Sequence, residues 1–82
     1  MKDFSCVSIL QSEAGPERYY VGLTDDLRRR LAKHNSGSVA HTAKYRPWHI
    51  KTAIAFGDRA RAAKFECYLK TASGRASAKK RL

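Results

Sequence analysis

Eighty-two residues suffice for one small hydrophobic core and not for two. An apolar content of 43% excludes a disordered polyelectrolyte, and no apolar run approaches the roughly 18 residues of a membrane span. Seventeen Lys and Arg against seven Asp and Glu leave a formal charge of +10, which favours a polyanionic partner, nucleic acid first, while saying nothing about catalysis.

Residues 4–10, FSCVSIL, read as a first strand with Phe4, Cys6 or Val7, and Ile9 available for burial. The start of the chain is too short and too acidic for a signal peptide, which predicts a cytoplasmic location. Residues 11–18 form a turn, because Gly15-Pro16 cannot sit in a central strand, and a hairpin leads to a second strand over residues 19–22. Thr24-Asp25-Asp26 offers N-cap oxygens for a helix over Leu27–Asn35, with Gly37 as its stop. At about 100° per residue, Leu27, Arg30, Leu31 and His34 share one face of that helix. Arg28, Arg29 and Lys33 take the other, a solvated face well placed to touch backbone phosphates. Arg30 is thus aimed at the apolar side, where an unpaired guanidinium is costly. It either meets an anionic ligand there, pairs with a structural carboxylate, or reaches to the rim of the core.

A polar, basic loop over residues 36–47 follows. It is long for a small domain, a sign of function, and Lys44, Tyr45 and Arg46 can extend the nucleic-acid surface, with Tyr45 able to stack on an unpaired base. Trp48–Phe56 alternates as a third strand, with Trp48, Ile50, Ile54 and Phe56 on the buried side and some slippage at Thr52. Gly57-Asp58 supplies a turn and an N-cap for a helix over residues 59–71, whose apolar arc carries Ala62, Ala63, Glu66 and Leu69. Ser73-Gly74 then breaks the chain before a basic terminal helix or tail containing Arg75, Lys79, Lys80 and Arg81. Cys6 and Cys67 lack metal-site spacing and are read as reduced thiols. The order β-β-α-β-α-(α) predicts a single α+β domain over residues 1–82, a small three-stranded antiparallel sheet flanked by helices.

Several short segments fit one pattern. They are Tyr20-Val21-Gly22, the helical run Leu27-Arg28-Arg29-Arg30-Leu31, His34 one turn later, and Phe65-Glu66-Cys67-Tyr68-Leu69-Lys70. In this order and at these spacings the chain resembles the single-domain GIY-YIG endonucleases over nearly its whole length. His41-Thr42 and Ser73-Gly74-Arg75-Ala76 are also similar to small members of that family. The first motif departs from it: aligned by the strand, the chain has Cys6-Val7-Ser8, so Ser8 stands where the family has a tyrosine. The family's asparagine near the end of the domain has no counterpart, Asn35 being the only asparagine.

The resemblance implies metal-dependent hydrolysis of phosphodiesters in DNA, which is favoured over RNA, in structured or single-stranded form. Glu66 would hold a single Mg²⁺ or Mn²⁺, and Arg30 would set its planar fork on the non-bridging oxygens. Tyr20 would orient or deprotonate the attacking water. A phenol is a poor base at neutral pH, so cationic neighbours or a relay through Arg30 and His34 are required. Arg75 would add to the binding surface. The alternative is a nucleic-acid-binding module of the same fold with impaired catalysis, for which Ser8 is the motive. A membrane partner is not expected, and a targeting protein partner stays open.

Overall fold

Both faces of the central strand are buried, and that sets the architecture. A computed structural model describes residues 4–82. Strand β1 (Ser5–Ser12) lies between β2 (Tyr19–Thr24) and β3 (Trp48–Phe56), and both pairings are antiparallel. Successive side chains alternate across the sheet, so Val7 and Ile9 face one way and Cys6, Ser8, Leu10 and Ser12 the other. The first face is covered by α3 (Arg59–Leu69) and α4 (Ala72–Arg81); there Val7, Ile9, Ala62 and Leu69 form the buried apolar cluster, flanked by Val21, Leu23, Phe56 and Phe65. The second face is covered by α1 (Leu27–Asn35) and the single-turn α2 (Ala40–Ala43). The expected α+β architecture, a three-stranded antiparallel sheet flanked by helices, is what the molecule has. No helix among the described residues is long and apolar enough to cross a membrane.

The elements start where local chemistry satisfies their first amides. Asp26 accepts from Arg29 N at 3.0 Å to open α1, and Asp58 accepts from Ala60 N at 2.8 Å to open α3. Just past the end of α1, Gly37 adopts φ +83°, the left-handed turn that a glycine takes without steric cost.

Tertiary contacts moved several other boundaries. β1 runs on to Ser12, which pairs with Trp48, and Phe4 is exposed rather than buried. The slippage near Thr52 is a bulge: Ile9 opposes Thr52 while Leu10 opposes Ile50, leaving Lys51 as the extra residue. One added residue reverses the alternation. Trp48 and Ile50 therefore lie on the α1 face and Ile54 and Phe56 on the α3 face, and Ile50 is left 37% exposed. The loop over residues 36–47 contains α2, which the sequence pattern did not suggest. Its Thr42 is held from outside, the carbonyl accepting from the Trp48 indole at 3.0 Å and the hydroxyl lying 2.9 Å from His34 Nδ1. Finally, α3 stops at Leu69, and the break falls at Thr71, whose hydroxyl caps α4 by accepting from Gly74 N at 3.0 Å. Gly74 continues the helix. It lies so close to α3 that a Cβ there would sit 1.8 Å from the Tyr68 carbonyl oxygen.

Candidate functional site

Tyr20 lies on the edge strand β2, opposite Leu10, and so projects to the α1 face. Two residues on, Gly22 has the same orientation and no side chain. The Arg30 guanidinium fills that space: a Cβ on Gly22 would come 1.5 Å from Arg30 Nη2. Arg30 Cζ stands 5.3 Å from the Tyr20 ring centroid, within cation–π range. The His34 ring lies 4.8 Å from the same centroid and the His41 ring 5.4 Å. Helical periodicity thus delivers Arg30 and His34 to one phenol, as their spacing predicted, and α2 adds His41, whose part in the cluster the sequence reading missed.

Beneath this cluster, Ser8 pairs with Gly22 across the sheet and is fully buried. Its Oγ and the Arg30 Nε are both buried without a hydrogen-bond partner. Leaving such groups unpaired costs about 1–3 kcal/mol each. Both can donate, so an oxygen bearing negative charge is the chemistry that would satisfy them.

His34 is held by its other nitrogen. The Thr42 hydroxyl has a single proton, and it donates that proton to the Val39 carbonyl at 3.2 Å. In the tautomer protonated at Nδ1, His34 donates to that hydroxyl at 2.9 Å and keeps the Nε2 lone pair free to take a proton. Burial pushes the imidazole pKa below its ordinary value, helped by the charges of Arg30, His41 and Lys33. The ring is therefore neutral at neutral pH.

The open cleft over these groups, about 480 Å³, is lined by Tyr20, Arg30 and His34 with Arg29 and Lys33 at its mouth. Arg28 is exposed on the same helix. Asp25, which lines the cleft together with Asp26, pairs with Arg59 Nη1 at 2.9 Å and accepts from Ser5 Oγ at 3.2 Å, tying the starts of α1 and α3 together. Asn35 is the pin at the other end of α1: its amide accepts from Trp48 N at 2.6 Å and donates to Trp48 O at 3.0 Å. That structural duty had no signal in the sequence.

Glu66 is on the other layer. Phe65 leans toward β3, its ring 5.6 Å from that of Phe56. The Glu66 side chain is 19% exposed and ion-paired with Lys70 Nζ at 3.5 Å. Tyr20, Arg30 and His34 thus lie on the α1 face of the sheet and Glu66 on α3, and Glu66 does not line the cleft that holds the other three. No cluster of three or more His, Cys, Asp or Glu suited to a metal occurs among the described residues. A single carboxylate with a displaceable lysine partner fits a hard cation that keeps most of its water, and does not fit a fully protein-ligated ion.

The remaining predicted contacts lie apart from the cluster. The Tyr45 ring is bracketed by Arg18 Cζ at 4.6 Å and Lys44 Nζ at 5.2 Å. Arg46 lies against Gly37, where a Cβ would meet Nη1 at 2.2 Å. Arg75, on α4, lines a separate groove on the α3 face. Both cysteines are free thiols, Cys6 buried and Cys67 exposed.

Comparison with known proteins gives the family. A Giardia intestinalis protein, "Structure-specific endonuclease subunit SLX1 homolog", is 32% identical over 68 residues, covering 77% of this chain and 19% of its own length. The Scheffersomyces stipitis "Structure-specific endonuclease subunit SLX1" is 37% identical over 70 residues, again 77% of this chain and 21% of its own length. A "UPF0213 protein" of Streptococcus pneumoniae is 43% identical over 53 residues, 63% of this chain and 54% of its own length. The chain therefore spans about a fifth of the first two relatives and about half of the third. Residues 4–81 match the GIY-YIG catalytic domain along nearly the whole sequence, and the chain belongs to that family.

Proposed function

We propose that this chain is a metal-dependent endonuclease domain that hydrolyses phosphodiester bonds in structured or single-stranded DNA. The observation that carries the reading is the Arg30 guanidinium, its buried Nε unpartnered, against the Tyr20 ring in a cleft that His34, Arg29 and Lys33 also line. The two SLX1 relatives are named as structure-specific endonuclease subunits, which favours DNA as substrate and a partner subunit for targeting.

Arg30 lies flat over Gly22 and offers its fork to a phosphate, where it stabilises the negative charge that builds as the water attacks. Tyr20 orients that water or takes its proton. Neutral His34, its Nδ1–H committed to Thr42, can relieve the phenol of a proton through Nε2. Ser8, fully buried beneath Gly22, could hold a water, and it cannot act as a base in place of a phenol. Glu66 would hold Mg²⁺ or Mn²⁺ once Lys70 swings aside. Such an ion supplies polarisation of the phosphate and offsets charge on the leaving oxygen. Arg28, Arg29, Lys33, Lys44 and Arg46 supply backbone attraction.

The second reading, a binding module with little catalytic power, is favoured by Ser8 alone. A plasmid and branched-DNA nicking assay, run with Mg²⁺ and with EDTA, separates the two. Metal-dependent nicking is the expected result. Tight, salt-sensitive binding without any nicking supports the module, and gain of nicking in Ser8→Tyr would identify the missing phenol as the cause.

A further inference from the structure

The α3 face carries a second open groove, of about 740 Å³, whose lining shares only Tyr20 with the cleft. Its floor is apolar: Ile9, Val21, Leu69 and Ala78. Around it stand five cations from four places in the chain, namely Arg18 in the hairpin turn, Lys51 at the β3 bulge, Lys70 after α3, and Arg75 and Lys79 on α4. The lining holds one carboxylate, Glu17. Lys70 is already paired with Glu66 at 3.5 Å; the other four like charges around an apolar floor repel one another, and an anion relieves that repulsion. Tyr19 stands at the rim, 45% exposed, with Lys51 Nζ 4.8 Å from its ring centroid.

Tyr20 lines both this groove and the catalytic cleft, so only the width of the edge strand separates the two. A nucleic-acid strand crossing that edge would meet Arg29 and Lys33 on one side and the groove's cations on the other. An apolar floor beside an exposed aromatic suits unstacked bases, which a duplex does not present. A second copy of this chain would bring another +10 against the same cations. We propose that the groove receives a single-stranded stretch of the substrate, its phosphates on Arg18, Lys51, Arg75 and Lys79 and a base against Tyr19. This rests on the nuclease reading for its substrate, but it is a statement about binding and can be tested without cleavage.

The test is fluorescence anisotropy of the full chain in EDTA, with a labelled oligothymidylate and with a blunt duplex of equal length. Tyr19→Leu should weaken oligothymidylate binding about tenfold and leave duplex binding largely intact, while Tyr19→Phe retains both. Arg75→Gln with Lys79→Gln should lower the slope of log affinity against log salt by about 1.4 for the single strand. Lys64→Gln, on the exposed side of α3, serves as the charge control and should change single-strand affinity no more than twofold. Equal losses on both ligands, or none, would overturn the proposal. So would NMR shifts at Leu69 and Ala78 that follow protein concentration or an acidic peptide instead of the oligonucleotide. Specific single-strand binding in a chain that never nicks DNA would sink the nuclease reading alone.

Discussion

The two faces of this sheet are held in opposite ways. On the α3 face, Val7, Ile9, Ala62 and Leu69 exclude water, and the packing is apolar. The α1 face buries Cys6, Leu10 and Trp48 but also Ser8, Ser12, His34 and Thr42, and there specific hydrogen bonds to Trp48, Val39 and Tyr45 add to the packing. The same strand, β1, serves both. The apolar face supplies stability that tolerates some sequence change; the polar face spends its hydrogen bonds on holding a few groups in place, and leaves two donors unpaired. Stability and reactivity are therefore separable here, each with its own residues.

That separation can be broken first at Arg30. Arg30→Ala should lower nicking about 10²–10³-fold with little change in melting temperature, and Arg30→Lys should recover only part of it. Near-normal cleavage by either Arg30→Ala or Glu66→Gln refutes the site. Leu69→Ala, on the opposite face, should do the reverse: a loss of about 2–5 kcal/mol in urea unfolding.

Two glycines sharpen the contrast. Gly74→Ala drives a methyl into the Tyr68 carbonyl, a backbone atom that cannot step aside, and should cost about 1–3 kcal/mol or more. Gly22→Ala meets only the end of the Arg30 side chain, which can swing away. Its melting temperature should fall less than that of Gly74→Ala, while nicking falls toward that of Arg30→Ala. Asn35→Ala removes two hydrogen bonds to the Trp48 backbone and should cost about 1–3 kcal/mol, loosening the cleft with it.

The smallest effect is on pH. Because the folded His34 has a lowered pKa, the unfolded chain binds more protons below the ordinary imidazole range, and stability falls as the pH drops from about 6.5 through the folded value. His34→Gln should flatten that part of the unfolding profile. A profile identical to wild type would show that His34 is not its source.

What could be read from the sequence was what short-range chemistry determines. Leu27–Asn35 and Trp48–Phe56 fall where Asp26, Gly37 and Gly57-Asp58 place their ends, and the face shared by Arg30 and His34 follows from helical spacing. What was not legible depended on contacts between distant segments. The four residues of α2 have no helical pattern of their own and are held by Trp48 and His34. The side of the sheet on which Ile50 falls depends on Lys51 bulging out of register. Gly74 resembles a breaker until α3 is seen against it. For the site, periodicity turned Glu66 inward but could not say that it lies on the layer opposite Arg30 and His34.

The Lys51 bulge gives β3 a half-turn swivel, so that a single segment can anchor two unrelated layers. Deleting that one residue would rotate Trp48 off its seat against Asn35 and Thr42 without altering any group in the cleft. The cleft's integrity is in that sense stored remotely, in a spacing of the backbone and not in a side chain.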